Sequence, residues 1–248
     1  MALTLAQRNQ LRKRAAQEAA AAAPAASMAG ATSYELQLAE LHQHRHRLKQ
    51  IQSTEGKIEL KRQLVPQYAP YIDGVLSAGV GAQDEVLSTL MIWRFDIADW
   101  AGALAIARYV LQHGLAMPDR FARTPGTLIA EEIAEAALKA LKLDQPFELA
   151  VLEQAEELTR EQDMPDEVRA KLHLAIGRCH LTAADVHAKA VEAGQNVEAE
   201  RFHVEGHVQT AHSHVLRAIE LHENCGGKKD LERATRLLKK HAPAPAEA

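Results

Sequence analysis

Aromatic residues and cysteines are both scarce in this chain of 248 residues. Phe, Trp and Tyr make up 4% of it, and the two cysteines, Cys179 and Cys225, fit no spaced metal or redox motif. This usage favours a reduced, cytoplasmic protein over a disulfide-bonded one. Ala is abundant, Gly and Pro are sparse within the periodic segments, and no alternating strand pattern is legible. We therefore expect an all-α fold of helical hairpins with a basic N-terminal helical arm. An apolar seam at Leu38, Leu41 and Leu48, too thin to bury a helix within one subunit, also predicts an oligomer.

Long apolar runs and nucleotide-binding motifs are also missing. The longest apolar runs are well short of the ~18–20 residues that a membrane-spanning helix needs. Basic residues near the start are followed by an Ala tract without a Leu-rich core, so we expect no signal peptide. The sequence contains no Gly-x-x-x-x-Gly-Lys-Ser/Thr loop, which means that any ATP hydrolysis would belong to another protein.

Charge is distributed unevenly along the chain, although the net charge is only −4. Residues 1–64 contain ten Lys or Arg and five acids, whereas residues 65–170 contain eight Lys or Arg and eighteen acids. Basic segments attract phosphate backbones by releasing counterions, and acidic ones discourage such contact. If the protein binds DNA, the first 64 residues are the expected place.

The basic residues of this first part form two candidate DNA-binding groups. The first belongs to a short helix within residues 2–20, capped by Thr4, and is either a DNA-binding arm or a solvated terminus. The second covers a longer helix whose thin apolar seam contains Leu38, Leu41 and Leu48. That helix contacts nucleic acid, packs in an oligomer, or is merely solvated. The candidates are Arg8, Arg12, Lys13 and Arg14 in the first group, and Arg45, Arg47, Lys49, Lys57, Lys61 and Arg62 in the second.

Composition divides the chain into five segments. Residues 1–32 are a basic, Ala-rich flexible arm. Residues 33–64 are the long basic helix, capped by Ser33 and ended before the core by Pro66 and Pro70. Residues 65–181 are a helical core domain, residues 182–241 are polar His-rich helices, and residues 242–248 are a loose tail.

The apolar centre of the predicted core is a pair of short helices. Asp84 can cap a helix that carries Val86, Leu90 and Trp93 on one face, and Asp99 can cap a second helix that begins at Trp100. Gly114 follows the second helix, where a left-handed residue often ends one. We expect the two helices to pack antiparallel with both indoles mostly buried.

A series of short stretches occurs in order through the same region: Asp73-Gly-Val-Leu, Gly81-Ala-Gln-Asp-Glu, Met91-Ile-Trp-Arg-Phe-Asp, Ala101-Gly-Ala-Leu-Ala-Ile-Ala-Arg-Tyr, Gly114-Leu-Ala-Met-Pro and Arg123-Thr-Pro. Together with Asp163-Met-Pro-Asp-Glu-Val-Arg-Ala-Lys-Leu-His173, they resemble the terminase small subunit of cohesive-end temperate tailed phages. This GpM type is also called the terminase endonuclease subunit. The resemblance extends from about Tyr34 to His173. No helix-turn-helix pattern, which many small terminases use, is legible.

The resemblance implies a subunit that recognises the cohesive-end site of viral DNA and, with the large terminase subunit, initiates genome cleavage and packaging. Its expected partners are double-stranded phage DNA, the large subunit with its ATPase and nuclease, and further copies of itself, as in the rings that small terminases form. We expect it in the host cytoplasm, without a membrane partner. Two alternatives stay open: a metal-dependent DNA endonuclease in its own right, and a helical-repeat adaptor that binds only protein.

Catalytic residues cannot be assigned from the sequence. A metal-dependent nuclease needs carboxylates that converge on Mg²⁺, and the candidates are Asp84, Glu85, Asp96 and Asp99. All four are more simply explained as helix caps and first-turn acids that suit the helix dipole. We expect catalysis in the large subunit, no cofactor in this one, and Mg²⁺ only if it is itself a nuclease. His203 and His207, four residues apart, are candidate metal ligands without an accompanying Cys or Glu motif.

Overall fold

The computed structural model describes residues 3–24, 27–118 and 122–241, and that part of the chain is helical. No strand occurs among these residues, whose single isolated bridge joins Ser27 and Gln83. The predicted all-α class is therefore confirmed. The predicted tail, residues 242–248, lies outside the described residues. The helices are α1 (Leu5–Ala21), α2 (Thr32–Gln50), α3 (Thr54–Ala78), α4 (Glu85–Asp96), α5 (Trp100–Gln112), α6 (Pro125–Lys142), α7 (Leu149–Thr159), α8 (Asp166–Glu192), α9 (Val197–Leu221) and α10 (Lys228–His241).

The chain forms two compact units, residues 1–125 and residues 126–248. Helices α1 to α5 belong to the first unit, and α6, from its second residue, to α10 belong to the second. The boundary lies inside the segment 65–181 that composition indicates as one core domain. Composition could not locate it because both units are helical and apolar on either side of the boundary. None of the described helices is both long and apolar enough to cross a membrane.

Helix α1 is packed in the first unit and is not part of a flexible arm. Thr4 caps it as predicted, in a capping box with Gln7. Ala15 and Ala19 are fully buried. A Cβ on Gly74 of α3 would lie 2.5 Å from the carbonyl oxygen of Arg12, so α3 offers α1 a surface that only glycine leaves open. Small side chains on both helices allow this close approach. From composition alone, the same Ala-rich segment is typical of a flexible linker.

The predicted long helix is two helices, α2 and α3. The chain is non-helical from residue 51 to 53, and the Ser53 side chain accepts a hydrogen bond from the Gly56 N–H to start α3. α3 then continues through Pro66 and Pro70. Each proline costs a helix about 3 kcal/mol, but the residues that follow them are buried, which offsets the lost hydrogen bonds. These buried residues are Tyr68, Tyr71, Ile72 and Val75.

The N-cap of α2 is two residues earlier than the predicted Ser33, and the apolar seam of α2 is covered within the unit. Ala31 is the N-cap residue, and the Ser33 N–H donates instead to Glu18 Oε2 over 2.8 Å. Leu41 and Leu48 are buried. Because they are covered by their own chain, the seam gives no reason to expect an oligomer.

The two caps predicted for the central helices are confirmed. Asp84 accepts from the Leu87 N–H over 2.8 Å, and Asp99 accepts from the Gly102 N–H over 3.1 Å. Gly114 has a φ of 62°, in the left-handed region predicted for it. Trp93 is 5% exposed, as expected, and its ring meets the Tyr68 ring edge-on. Trp100 is less deeply buried than Trp93 but still mostly covered, so the prediction that both indoles are mostly buried is confirmed.

Helices α8 and α9 form an antiparallel hairpin in the second unit. His173 faces His214, His180 faces His207, and His187 faces Glu200, so residue numbers rise on one helix as they fall on the other. α8 continues to Glu192, across the boundary at residue 181 that composition indicates between the core and the His-rich segment. Helix α10 adds ion pairs from Arg178 to Asp230 and from Arg233 to Asp185.

Candidate nucleic-acid interface

The N-terminal helix presents three unpaired cations. Arg8, Arg12 and Lys13 are exposed, and none has an ion pair or hydrogen bond from its side chain within the described residues. Arg14 differs, because its Nε lies 3.1 Å from Glu18 Oε1. The capping box and the buried alanines hold α1 in place, so these cations project from a packed helix.

The end of α2 presents two more unpaired cations. Arg47 and Lys49 are exposed in its last turn, where a positive charge suits the helix dipole. Arg45 points elsewhere: its Nη2 donates to Glu85 Oε1 over 2.7 Å and to Thr89 Oγ1 over 2.9 Å. That guanidinium ties α2 to α4 and is not available to a phosphate without breaking an ion pair.

The candidates on α3 are mostly engaged. Lys61 pairs with Asp96, and both are partly buried. Arg62 pairs with Glu59 over 2.7 Å on the surface, where such pairs contribute little. Lys57 is half-buried and has no acidic partner in the part of the chain that the structure describes. Of the ten predicted DNA-binding residues, five are exposed and unpaired, four already have acidic partners, and Lys57 is half-buried and unpaired within the described residues.

The unpaired cations form two separate groups along α3. α1 contacts α3 near its end, with Ala15 beside Gly74. The contact of α2 with α3 extends from the middle of α3, where the His44 Nδ1 lies 2.7 Å from the Tyr68 hydroxyl, to its start, where Ile51 lies beside Gly56. A helix of this length extends about 37 Å. The group on α1, Arg8 with Arg12 and Lys13, and the group on α2, Arg47 with Lys49, thus lie toward different halves of α3.

The four carboxylates proposed as catalytic candidates each have a separate structural role. Asp84 caps α4 and accepts from the Tyr71 hydroxyl over 2.5 Å, and Glu85 pairs with Arg45. Asp96 pairs with Lys61, and Asp99 caps α5 and pairs with Arg94 over 2.9 Å. The cation, hydroxyl or amide beside each acid satisfies its oxygens. The described residues bring no two of these acids together in a group that could hold a metal ion.

Asp84 is the most unusual of these acids because it is fully buried. Burial raises its pKa from 3.8 to about 6, against the lowering effect of the hydrogen bonds from Tyr71 and from the backbone of α4. Burial and the Asp84 charge likewise raise the pKa of the Tyr71 phenol. A buried acid with a raised pKa is often found at functional sites. Here a helix cap and a tyrosine account for both of its oxygens.

The predicted histidine pair on α9 is divided between different neighbours. His203 is exposed, and its ring stacks on His187 at 5.0 Å. His207 turns its Nδ1 toward the Nδ1 of His180, at 2.8 Å. Burial lowers the pKa of His180 to about 4, with a further contribution from His207. Neither His203 nor His207 belongs to a group of three side chains, among the described residues, that is close enough together to hold a metal ion.

Comparison with known proteins decides the family. A family model described as phage small terminase subunit matches residues 38–167, over half of the chain. The chain is also 41% identical over 244 residues to the "Terminase, endonuclease subunit" of Escherichia phage P2. The matched region covers 98% of the chain and 89% of the relative. The chain belongs to the phage small terminase subunit family. The resemblance of the sequence motifs is thereby confirmed, and the family places the role of this terminase subunit in phage DNA packaging.

A second relative of this terminase subunit is more distant. The "Probable terminase, endonuclease subunit" of Haemophilus phage HP1 (strain HP1c1) is 28% identical over 78 residues, or 31% of the chain and 28% of the relative. No solved structure matches the chain.

The histidine pairs of this terminase subunit are not evident from the four-residue spacing of His203 and His207, because that spacing concerns a single helix. The available signal was a spacing of seven: His173, His180 and His187 on α8, and His207 and His214 on α9. A seven-residue repeat keeps side chains on the seam between two helices. Which histidines face each other became clear only from the pairing of α8 with α9.

Proposed function

We propose that this small terminase subunit recognises the cohesive-end site of double-stranded phage DNA and presents it to the large terminase subunit, which begins genome cleavage and packaging. Family membership supports the general role. The specific recognition of a cohesive-end site is our inference from the resemblance of the sequence motifs. The expected place of action is the host cytoplasm.

The observation that carries the DNA-binding part is the set of unpaired cations on α1 and α2. Arg8, Arg12, Lys13, Arg47 and Lys49 are exposed and have no acidic partner among the described residues. Free cations can each displace a counterion from a phosphate backbone, whereas cations already paired with acids gain less from the exchange. α1 and α2 therefore form the proposed DNA contact.

Catalysis is proposed to belong to the large subunit. The acids Asp84, Glu85, Asp96 and Asp99 each have a cap, cation or hydroxyl partner. The sequence also lacks an ATP-binding loop. We accordingly propose no cofactor for this subunit. The alternative, an endonuclease in its own right with Mg²⁺, is favoured by the name of the phage P2 relative, "Terminase, endonuclease subunit".

A cleavage assay separates the two functions. The purified chain is incubated with Mg²⁺ and DNA that contains the cohesive-end site, first alone and then with the large subunit and ATP. DNA without the site is the control substrate. We expect specific cleavage only when the large subunit is present. Site-specific nicking by the chain alone would show that the alternative is correct.

We also propose that the subunit forms a homo-oligomer, in the form of a ring. This proposal now depends on the family resemblance, because the seam on α2 is covered within the subunit. Light scattering at micromolar concentration tests it in low and in high salt. A monomer under both conditions would refute the oligomer and leave DNA recognition to a single subunit or to its complex with the large subunit.

A further inference from the structure

A group of three metal-ligand side chains lies where α7 meets the α8–α9 hairpin. Glu156 comes from α7, His173 from α8 and His214 from α9. All three side chains are partly buried, with 28%, 17% and 18% of their side-chain surfaces exposed. The group is in the second unit, and it is independent of the DNA contact proposed for α1 and α2.

The three donor atoms form a nearly regular triangle. His173 Nδ1 lies 3.0 Å from His214 Nδ1, and Glu156 Oε1 lies 3.4 Å from the first nitrogen and 3.7 Å from the second. In a tetrahedral zinc site with bonds of about 2.0–2.1 Å, any two donors are about 3.3–3.4 Å apart. The observed edges bracket that value. One ion above the centre of the triangle would thus reach all three atoms with small side-chain adjustments.

We propose that Glu156, His173 and His214 bind one Zn²⁺ ion, which joins three helices of the second unit. Two imidazole nitrogens and one carboxylate oxygen suit zinc, whereas Mg²⁺ and Ca²⁺ prefer oxygen donors throughout. Three protein ligands leave the fourth tetrahedral position to water, and the partial exposure of the side chains gives water access to it.

Close packing of the hairpin brings the two histidines together. A Cβ on Gly177 of α8 would lie 2.5 Å from Cγ2 of Val215 and 3.2 Å from the carbonyl oxygen of Ala211. The backbones of α8 and α9 are therefore close one turn away from His173 and His214. Ala170, Leu174 and Ala218 pack on the other side of the pair. Such a setting restricts the imidazoles, so little ordering is left for the metal to impose.

The second histidine pair provides an internal comparison. His180 and His207 are seven residues further along the same seam, with their Nδ1 atoms 2.8 Å apart. No carboxylate in the described part of the chain completes a three-donor group with them. The two pairs have the same residue types and nearly the same nitrogen separation. Glu153 of α7 acts electrostatically on His207, but only Glu156 of α7 lies close enough to a histidine pair to complete a three-donor group among the described residues.

Titration of the full-length chain with Zn²⁺ alone tests the site, first by calorimetry and then with Co²⁺ as a visible probe. We expect one ion per chain and the intense visible bands of four-coordinate Co²⁺. Glu156→Gln keeps the size of the side chain but removes the charged donor, and we expect it to weaken binding by about tenfold or more. His214→Gln should do the same. The matched control, His180→Gln, should keep the affinity and the Co²⁺ spectrum of the unaltered chain.

Melting curves without metal show whether each variant is folded. Zn²⁺ should raise the melting temperature of the unaltered chain but not that of folded Glu156→Gln. Equal Zn²⁺ affinity in the unaltered chain and in folded Glu156→Gln would overturn the proposal. Loss of binding in His180→Gln with retention in His214→Gln would also overturn it, because the other histidine pair would then hold the ion. Neither result bears on DNA recognition, which is measured separately.

Discussion

At the scale of single residues, Asp84 connects helix capping with burial. Its carboxyl accepts from the Leu87 N–H and the Tyr71 hydroxyl, and it is fully buried. The sequence predicts only the first of these partners, the Leu87 N–H. On that basis alone, a substitution of Asp84 would lower stability by no more than the loss of a helix cap. The Tyr71 hydroxyl is buried as well, and it would lose its acidic partner if the carboxyl were removed.

We therefore expect Asp84→Ala to destabilise the first unit by about 2–4 kcal/mol at pH 5. A lost cap costs about 0.5–2 kcal/mol, and a buried hydroxyl without a partner costs about 1–3 kcal/mol more. Urea denaturation followed by tryptophan fluorescence measures it. Ser53→Ala, which removes an exposed cap, is the comparison and should cost about 1 kcal/mol. Equal losses in the two variants would mean that the hydrogen bond from Tyr71 contributes nothing.

The raised pKa of Asp84 also predicts how stability depends on pH. The folded carboxyl has a pKa of about 6 and the unfolded one 3.8, so the folded state holds a proton that the unfolded state has released between these values. The stability that Asp84 contributes is complete below about pH 4, falls as pH rises, and is lost above about pH 6. The full change is about 3 kcal/mol.

The difference in stability between the unaltered chain and Asp84→Asn isolates this effect. Burial lowers the pKa of His44, which makes stability rise with pH. This contribution is the same in both proteins and therefore cancels in the difference. Both tryptophans, Trp93 and Trp100, lie in the first unit, so their fluorescence follows that unit without the histidines of the second. A constant difference from pH 4 to pH 7 would contradict the raised pKa.

Local capping was predictable at this scale, and distant partners were not. Thr4, Asp84 and Asp99 cap as predicted because a cap depends on residues three positions away. Ser33 does not cap, because α2 begins before it, at Thr32; its own first-turn N–H donates to Glu18, 15 positions earlier in the chain. Arg45 and Lys61 were proposed for DNA, but their acids, Glu85 and Asp96, are 35 or more positions away. No local pattern reveals such pairs.

At the scale of helices, α1 and α3 show where sequence patterns mislead. An alanine-rich segment is typical of a tether, yet α1 packs closely on α3 because Ala15 meets Gly74. Proline is typical of a helix end, yet α3 continues through Pro66 and Pro70. In both cases burial against another helix outweighs the local preference. The central pair α4 and α5, by contrast, has caps and apolar faces that agree, and its limits were predicted closely.

The DNA contact makes a prediction at this scale too. Replacing Arg8, Arg12 and Lys13 with Ala should weaken DNA binding and reduce the slope of log affinity against log salt concentration. The slope falls by roughly 0.9 for each phosphate that the protein no longer neutralises. Fluorescence anisotropy of labelled DNA across a salt series measures it. Arg47→Ala with Lys49→Ala tests α2 separately.

A control of equal charge is available in the second unit. Arg160, Arg217 and Lys228 are exposed, and each is paired with a nearby Glu. Replacing these three with Ala changes the net charge of the chain as much as replacing the three cations of α1. We expect this second triple variant to have nearly the salt slope of the unaltered chain. Equal slopes in both triple variants would show that net charge, and not α1, controls the affinity.

At the scale of the whole molecule, the chain divides its chemistry between two units. The five unpaired cations of α1 and α2 and both tryptophans belong to residues 1–125, whereas the paired histidines of α8 and α9 belong to residues 126–248. Each unit has its own buried residues, from Tyr68 and Met91 in the first to Ile133 and Leu174 in the second. A unit with its own core can fold alone.

We therefore expect the fragments 1–122 and 123–248 to fold separately, because a cut there lies between α5 and α6 and interrupts no helix. Each fragment should show helical circular dichroism and a cooperative melt. The first should keep the salt slope of the full chain in DNA binding, whereas the second should bind DNA weakly. A first fragment that is folded but has a much smaller slope would place phosphate contacts in the second unit. A fragment that is unfolded where the full chain is folded would show that one unit needs the other for stability.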